Sequence, residues 1–243
     1  MKYLLTTLGL APFLVVQARY VKRRITPKLP EAEGARSGAI GSGSKLGVLI
    51  VGDSAAAGVG VATQQEALSG QLISKLSSEL GSEFHVSWKL NATSGFNAND
   101  VLESLKSAPA ESFAVALLSV GVNDVSGRTS SKFWVAQILD IIQLLKSKFG
   151  VQHIVLTGLP PLHLFEVLPQ PLRWHVGMRA KQLTGLLRDI TLADKQCELI
   201  EPDFPFEPHY LATDRFHPAA PAYSLWGQLA ASTIKRRIKL EIT

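Results

Sequence analysis

Short apolar runs alternate with helical patterns along most of the chain, and this alternation restricts the fold more than any other feature. Five runs have the length and composition of strands: residues 46–51, 84–90, 113–120, 151–157 and 197–201. Apolar residues recur at helical spacing in five further segments: residues 64–80, 99–105, 131–149, 173–192 and 221–238. The alternation predicts an α/β fold with a parallel sheet, right-handed crossovers and helices on both faces.

Charge and cysteine content exclude several classes of function. The 243 residues fit a single α/β domain with a complete core. The formal net charge is +5, but residues 1–36 contain seven Lys/Arg and two Asp/Glu, so the remaining chain is neutral. A neutral body has no electrostatic footprint for nucleic acid, and we expect no such partner. The single cysteine, Cys197, excludes an internal disulfide and a multi-cysteine metal site, and its apolar neighbours predict a buried position.

Residues 1–25 form an apolar segment with a basic flank. Apolar residues predominate from Tyr3 to Val16. The cations that follow are Arg19, Lys22, Arg23, Arg24 and Lys28. Three interpretations remain open: a cleaved secretory signal, a single membrane anchor, and a helix that lies in the membrane interface. The positive charge is unfavourable for export, so we expect membrane association through residues 1–25, and the sequence leaves the side of the membrane open.

The composition then changes before the predicted domain begins. Residues 26–44 are rich in Pro, Glu, Gly and Ser, and they end in Gly41-Ser42-Gly43-Ser44. This composition predicts a flexible linker. The folded domain is therefore expected to cover residues 45–243.

Small and polar residues follow four of the predicted strands. They are Gly52-Asp53-Ser54, Asn91-Ala92-Thr93-Ser94-Gly95, Gly121-Val122-Asn123-Asp124 and, in the loop after the last strand, Asp214-Arg215-Phe216-His217-Pro218. The carboxyl ends of parallel strands meet at one edge of a sheet, so we expect these segments to lie close together.

Together these residues supply what acyl transfer needs. Ser54 would be the nucleophile, His217 the base that takes its proton, and Asp214 the group that orients the imidazole. The backbone N–H groups of Ser54 and Gly95, with the side-chain amide of Asn123, would form an oxyanion hole. An isolated Asp-Ser pair is more typical of a helix cap, and only the combination favours catalysis.

These four segments resemble the motifs of the SGNH hydrolases, also called GDSL-type esterases and lipases. Gly95 carries the second motif because it follows the second strand within a loop of small residues. The resemblance extends from Lys45 to the carboxyl terminus. It implies a three-layer, flavodoxin-like fold with a mostly parallel five-stranded sheet in the order 2-1-3-4-5. It also implies serine hydrolase chemistry without a cofactor. The spacing of the histidines indicates no metal site.

The candidate substrate pocket is apolar. Residues 158–172 leave the fourth strand on the catalytic edge and contain four prolines, which predicts a stiff wall. Phe204, Phe206 and Tyr210 are expected to add a second wall. These features favour a small-molecule or lipid ester, such as a lysophospholipid, as substrate. The sequence thus predicts a carboxylic esterase or lipase; an acyltransferase that uses the same triad and a catalytically silent module that binds acyl ligands remain as alternatives.

Overall fold

A six-stranded sheet is the middle layer of the computed structural model, which describes residues 2–21, 29–125, 129–205 and 207–242. The strands are β1 (Ser37–Ile40), β2 (Ser44–Gly52), β3 (Phe84–Ala92), β4 (Val115–Ser119), β5 (His153–Thr157) and β6 (Cys197–Ile200). Their spatial order is β1-β3-β2-β4-β5-β6, and all neighbours are parallel except β1 and β3. The predicted α/β class is confirmed, and the five parallel strands have the predicted order.

Strand β1 was not predicted, because it lies inside the segment interpreted as a flexible linker, residues 26–44. That interpretation is wrong for residues 37–40, which pair antiparallel with β3 from Ser37 opposite Lys89 to Ile40 opposite Val86. All four residues of β1 are exposed, so backbone hydrogen bonds hold the strand. A side chain at Gly43 would lie 2.0 Å from the Glu83 carbonyl oxygen. The small side chains of residues 41–44 therefore permit a close approach to the backbone at Glu83.

Helices cover both faces of the sheet. On one face lie α2 (Leu68–Leu80) and α7 (Ala220–Ile242), and on the other lie α1 (Lys2–Tyr20), α3 (Ala98–Ser107), α5 (Ser131–Phe149) and α6 (Leu172–Ala193); α4 is the short helix Val122–Val125. Strand β2 is buried on both sides: Val48 and Ile50 pack towards α2 and α7, whereas Leu49 and Val51 pack towards the other helices. This is the pattern of a central parallel strand.

Helix α1 packs along the domain. Leu14 and Val21 are buried in the core on the α5 and α6 side. The Gln17 amide donates to the Gln170 carbonyl oxygen at 2.6 Å and accepts the Leu172 N–H at 3.0 Å. Among the described residues, no helix combines the length and the hydropathy needed to cross a bilayer. The cations Lys22, Arg23, Arg24 and Lys28 lie outside the described residues.

Candidate active site

Ser54 lies just beyond the carboxyl end of β2, in a turn that backbone contacts fix tightly. A side chain at Gly52 would lie 2.1 Å from the Ser119 carbonyl oxygen, so only glycine fits beside β4. The Asp53 N–H donates to that same oxygen at 3.1 Å, and the Val59 N–H donates to the Ser54 carbonyl oxygen at 3.0 Å. The half-buried Ser54 is therefore held at the sheet edge, as the sequence pattern predicts.

His217 and Asp214 reach Ser54 from the loop before α7. The Ser54 Oγ lies 3.0 Å from Nε2 of His217, and Nδ1 of the same ring lies 2.6 Å from Oδ2 of Asp214. In the tautomer that fits these contacts, Nδ1–H donates to the carboxylate and Nε2 accepts from the hydroxyl. The loop closes on itself, because the Ala212 N–H donates to the His217 carbonyl oxygen at 2.8 Å. Arg215 at its tip has a φ of +54°, which lets the loop turn within a few residues.

The pKa values of the two aspartates at the site, Asp214 and Asp53, are shifted in opposite directions. Burial disfavours the charged form of Asp214, but hydrogen bonds from the side chain and backbone of His217 and from the Phe216 N–H outweigh it, so the pKa of Asp214 lies below its ordinary value. Asp53 is 2% exposed, and burial raises its pKa to about 7 against the hydrogen bond from the Ala55 N–H. Asp214 is thus suited to remain ionised beside an imidazolium.

Gly95 and Asn123 lie in two connected segments. Gly95 is exposed in the loop after β3 and has a φ of +89°, a backbone conformation that favours glycine. Asn123 lies in α4, and its Nδ2 donates to the Phe96 carbonyl oxygen at 2.8 Å, which ties α4 to the Gly95 loop. Within the described part of the chain, the backbone N–H groups of Ser54 and Gly95 make no hydrogen bond.

The carboxyl group of Asp124, in α4, contacts the start of α3. Its carboxyl accepts the Ala98 N–H at 3.1 Å, at the start of α3. Burial raises the pKa of Asp124 to about 6, and the hydrogen bond from the Ala98 N–H partly offsets that effect. The carboxyl therefore joins α4 to α3.

Sequence reasoning missed Glu31, which contacts the Gly95 loop from the predicted linker. Its Oε1 accepts the Ser94 N–H at 2.6 Å, and its Oε2 lies 3.0 Å from the Arg36 guanidinium. The guanidinium also donates to the Ala92 carbonyl oxygen at the end of β3. No local pattern marks Glu31, since its partner Ser94 is 63 residues away.

An apolar cavity of about 570 Å³ opens beside Ser54 and His217. The predicted wall is confirmed over residues 158–163 and at Phe165, and the second wall is confirmed at Phe204. Tyr210 stacks on Phe204 at 6.3 Å between ring centroids, and Phe206 lies outside the described residues. Leu211, Phe216 and Trp226 also line the cavity. Of the residues that the structure describes, neither Gly95 nor Asn123 belongs to the lining, whereas Val122, next to Asn123 in α4, does.

Elsewhere in the described part of the chain, the His, Cys, Asp and Glu side chains form no metal-binding cluster. Within residues 2–21, 29–125, 129–205 and 207–242, no three His, Cys, Asp or Glu side chains are grouped to hold a metal ion. His163 lines the cavity, and a ring nitrogen of His85 lies 2.7 Å from the Gly41 carbonyl oxygen. Cys197 is buried as predicted, and burial raises the pKa of its thiol to about 12. A thiol of that kind is a poor nucleophile.

Comparison with known proteins agrees with this architecture. Residues 50–225 match the GDSL-like lipase/acylhydrolase family. A GDSL-like esterase of Mycobacterium tuberculosis is 28% identical over an alignment that covers 91% of this chain and 76% of that protein. Two solved structures share the fold. The esterase EstA of Pseudoalteromonas sp. has a TM-score of 0.56 at 17% identity, over 79% of this chain and 98% of EstA. A family two carbohydrate esterase of Corynascus thermopiles has a TM-score of 0.64 at 12% identity, over 82% of this chain and 68% of that one. The chain therefore belongs to the GDSL-like lipase/acylhydrolase family and is an ester-bond hydrolase.

Proposed function

We propose that the chain hydrolyses carboxylic esters through an acyl-enzyme formed on Ser54. One observation carries this proposal: a continuous series of short contacts joins Asp214, His217 and Ser54, and it ends beside the apolar cavity. A serine hydroxyl is a weak nucleophile until a base takes its proton, and Nε2 of His217 lies 3.0 Å from that hydroxyl.

The reaction proceeds in two balanced steps. The Ser54 hydroxyl gives its proton to Nε2 of His217 while Oγ bonds to the ester carbonyl carbon, and the tetrahedral intermediate expels the alcohol, which takes the proton from His217. Water then gives a proton to the same nitrogen and attacks the acyl-enzyme, and the acid leaves as the proton returns to Ser54. Asp214 stabilises the imidazolium that forms in each step.

The oxyanion of each intermediate would be bound by the N–H groups of Ser54 and Gly95 and by the amide of Asn123. Two observations support these donors. The two backbone N–H groups have no partner within the described part of the chain, and Asn123 is oriented by its hydrogen bond to the Phe96 carbonyl oxygen. One such donor contributes roughly 10²–10³ in turnover.

The cavity favours esters with an apolar acyl chain. Its lining beside Ser54 includes Leu159, Leu162 and Phe165. In such a pocket one methylene group changes the transition-state energy by about 1–3 kcal/mol. Substituting Leu159→Trp would fill part of the cavity, so we expect kcat/KM to fall more for a long-chain than for an acetyl p-nitrophenyl ester. The matched control is Leu192→Trp, since Leu192 is 79% exposed. Equal losses on both esters would contradict an acyl role for the cavity.

The role of Ser54 is tested by substitution and covalent labelling. We expect Ser54→Ala to lower p-nitrophenyl ester hydrolysis by at least about 10³-fold and to abolish labelling by a fluorophosphonate probe. Ser74→Ala, at an exposed position of α2, is the control. Activity within a few-fold of wild type would disprove the assignment. Wild type that resists labelling would indicate a silent binding module, and acyl transfer to an added alcohol in preference to water would indicate an acyltransferase.

A further inference from the structure

Helix α1 is apolar on the side that faces away from the domain. Phe13, Val16 and Tyr20 are 65%, 66% and 55% exposed. Their spacing of three and four residues places them on one face of the helix. The exposed side of a helix packed on a globular domain is normally polar. We therefore expect this apolar face to be covered by a binding partner.

The opposite face of α1 is fixed to the domain, so the exposed face has a defined direction. Leu14 and Val21 are buried, and Gln17 bonds to the backbone at Gln170 and Leu172. A helix held along one side presents only its other side to a partner. Its geometry is that of a helix that lies along a surface.

Trp174, near the start of α6, is joined to this docking point through its backbone. The backbone N–H of Trp174 donates to Oε1 of Gln170, whose backbone carbonyl oxygen accepts from Gln17 of α1. The Trp174 side chain is 42% exposed. Tryptophan and tyrosine are enriched where proteins meet the boundary between lipid and water.

The positive charge of residues 1–36 indicates which kind of partner covers the exposed face of α1. Residues 1–36 carry the whole net charge of +5, and Arg19, next to Tyr20, is exposed. A second copy of the chain would bring this positive charge against itself, whereas an anionic lipid surface complements it. We propose that Phe13, Val16, Tyr20 and Trp174 form a lipid-facing patch, which seats α1 in the interfacial layer of a membrane that contains anionic lipids.

The patch also places the cavity near that membrane. Gln17 of α1 bonds to Gln170 and Leu172, which end the same segment, residues 158–172, whose residues 158–163 and Phe165 line the cavity. Esters within the lipid layer are then the accessible substrates. The inference about substrates rests on the proposed function, whereas the inference that α1 binds lipid does not.

Sedimentation of the full chain with vesicles tests the patch. We expect wild type to bind vesicles of phosphatidylcholine and phosphatidylglycerol, to bind pure phosphatidylcholine more weakly, and to bind less in high salt. The double variant Phe13→Ser/Val16→Ser should lower the partition coefficient by at least about tenfold, because it removes two apolar side chains from the lipid layer. Leu192→Ser, a change at an exposed leucine at the far end of α6, should leave the coefficient within about twofold.

Further measurements of binding, hydrolysis and oligomeric state separate the possible outcomes. Ser54→Ala should bind vesicles like wild type, so loss of catalysis and loss of binding are distinguished. The double variant should retain the hydrolysis of a soluble short-chain ester, which shows that it folds, and should lose hydrolysis of a long-chain ester embedded in vesicles. Equal binding by the double variant and Leu192→Ser would overturn the proposal. So would a wild-type dimer that the double variant dissociates and that binds no vesicle.

Discussion

Asp214 contacts His217 at two points. Its Oδ2 lies 2.6 Å from Nδ1 of the imidazole, and its Oδ1 accepts the backbone N–H of the same residue at 3.0 Å. One carboxylate therefore fixes both the ring and the backbone that carries it. Since the carboxylate is buried and its pKa is lowered, it keeps this arrangement and its charge at neutral pH.

The substitution Asp214→Asn tests the electrostatic part of this contact. The amide oxygen can still accept the backbone N–H groups, but the amide nitrogen would face Nδ1 and favour the tautomer that carries its hydrogen on Nε2. That tautomer cannot accept the Ser54 proton, so we expect kcat to fall by about 10³–10⁴. Steady-state kinetics on a soluble ester measure the effect. A loss smaller than tenfold would show that Asp214 does not set the tautomer.

Glu31 is expected to act as a positioning residue for the Gly95 loop. Glu31→Gln removes the charge that accepts the Ser94 N–H, so the loop should become less well ordered and kcat should fall by about tenfold. KM for a soluble ester should stay within about threefold, because the cavity is unchanged. The control is Glu33→Gln, whose side chain is exposed in the same segment. If Glu31→Gln raised KM and spared kcat, this role would be wrong.

Asp53 should make stability depend on pH. Its pKa is raised by burial from 3.8 to about 7, so between these values the folded state holds a proton that the unfolded chain has lost. The stabilisation is therefore present at low pH and disappears as the pH rises towards 7.

The substitution Asp53→Asn tests this dependence, because asparagine remains neutral and retains an acceptor for the Ala55 N–H. From about pH 4 to about pH 8, the free energy of unfolding should fall more for wild type than for Asp53→Asn, by on the order of 4 kcal/mol. Urea unfolding at both pH values measures this difference, and parallel pH dependences would contradict it.

Gly60 controls the position of the loop that carries His217. A side chain there would lie 2.2 Å from the Pro218 carbonyl oxygen, and its φ is +110°. Gly81 has a φ of +67° with nothing within 4 Å of an added Cβ, so Gly81→Ala isolates the backbone strain at about 1 kcal/mol. We expect Gly60→Ala to cost at least about 3 kcal/mol and to reduce kcat sharply, because Pro218 must move. Thermal unfolding and steady-state kinetics compare the two variants. Equal losses of stability and of kcat in Gly60→Ala and Gly81→Ala would show that the contact with the Pro218 carbonyl oxygen has no effect.

The parts of the structure that the sequence predicts are those with a local pattern. Buried strands show as apolar runs, and Ser54 and His217 lie in segments whose residue types already match acyl-transfer chemistry. Strand β1 shows no such pattern, because its side chains are exposed and its Gly- and Ser-rich turn has the composition of a linker. Glu31 acts through one hydrogen bond to a distant part of the chain. The apolar composition of α1 does not distinguish a helix packed on a domain from one in a membrane. Each of these features depends on tertiary contacts.

The hydrogen bond between Ser54 and His217 joins residues that are 163 positions apart. The ribosome therefore adds Ser54, the proposed nucleophile, long before His217, its proposed base. During synthesis the chain carries Ser54 without its partner until every strand of the sheet has emerged. No nascent chain that stops before His217 can form the pair, so the proposed mechanism requires that hydrolysis begin only after His217 has been added.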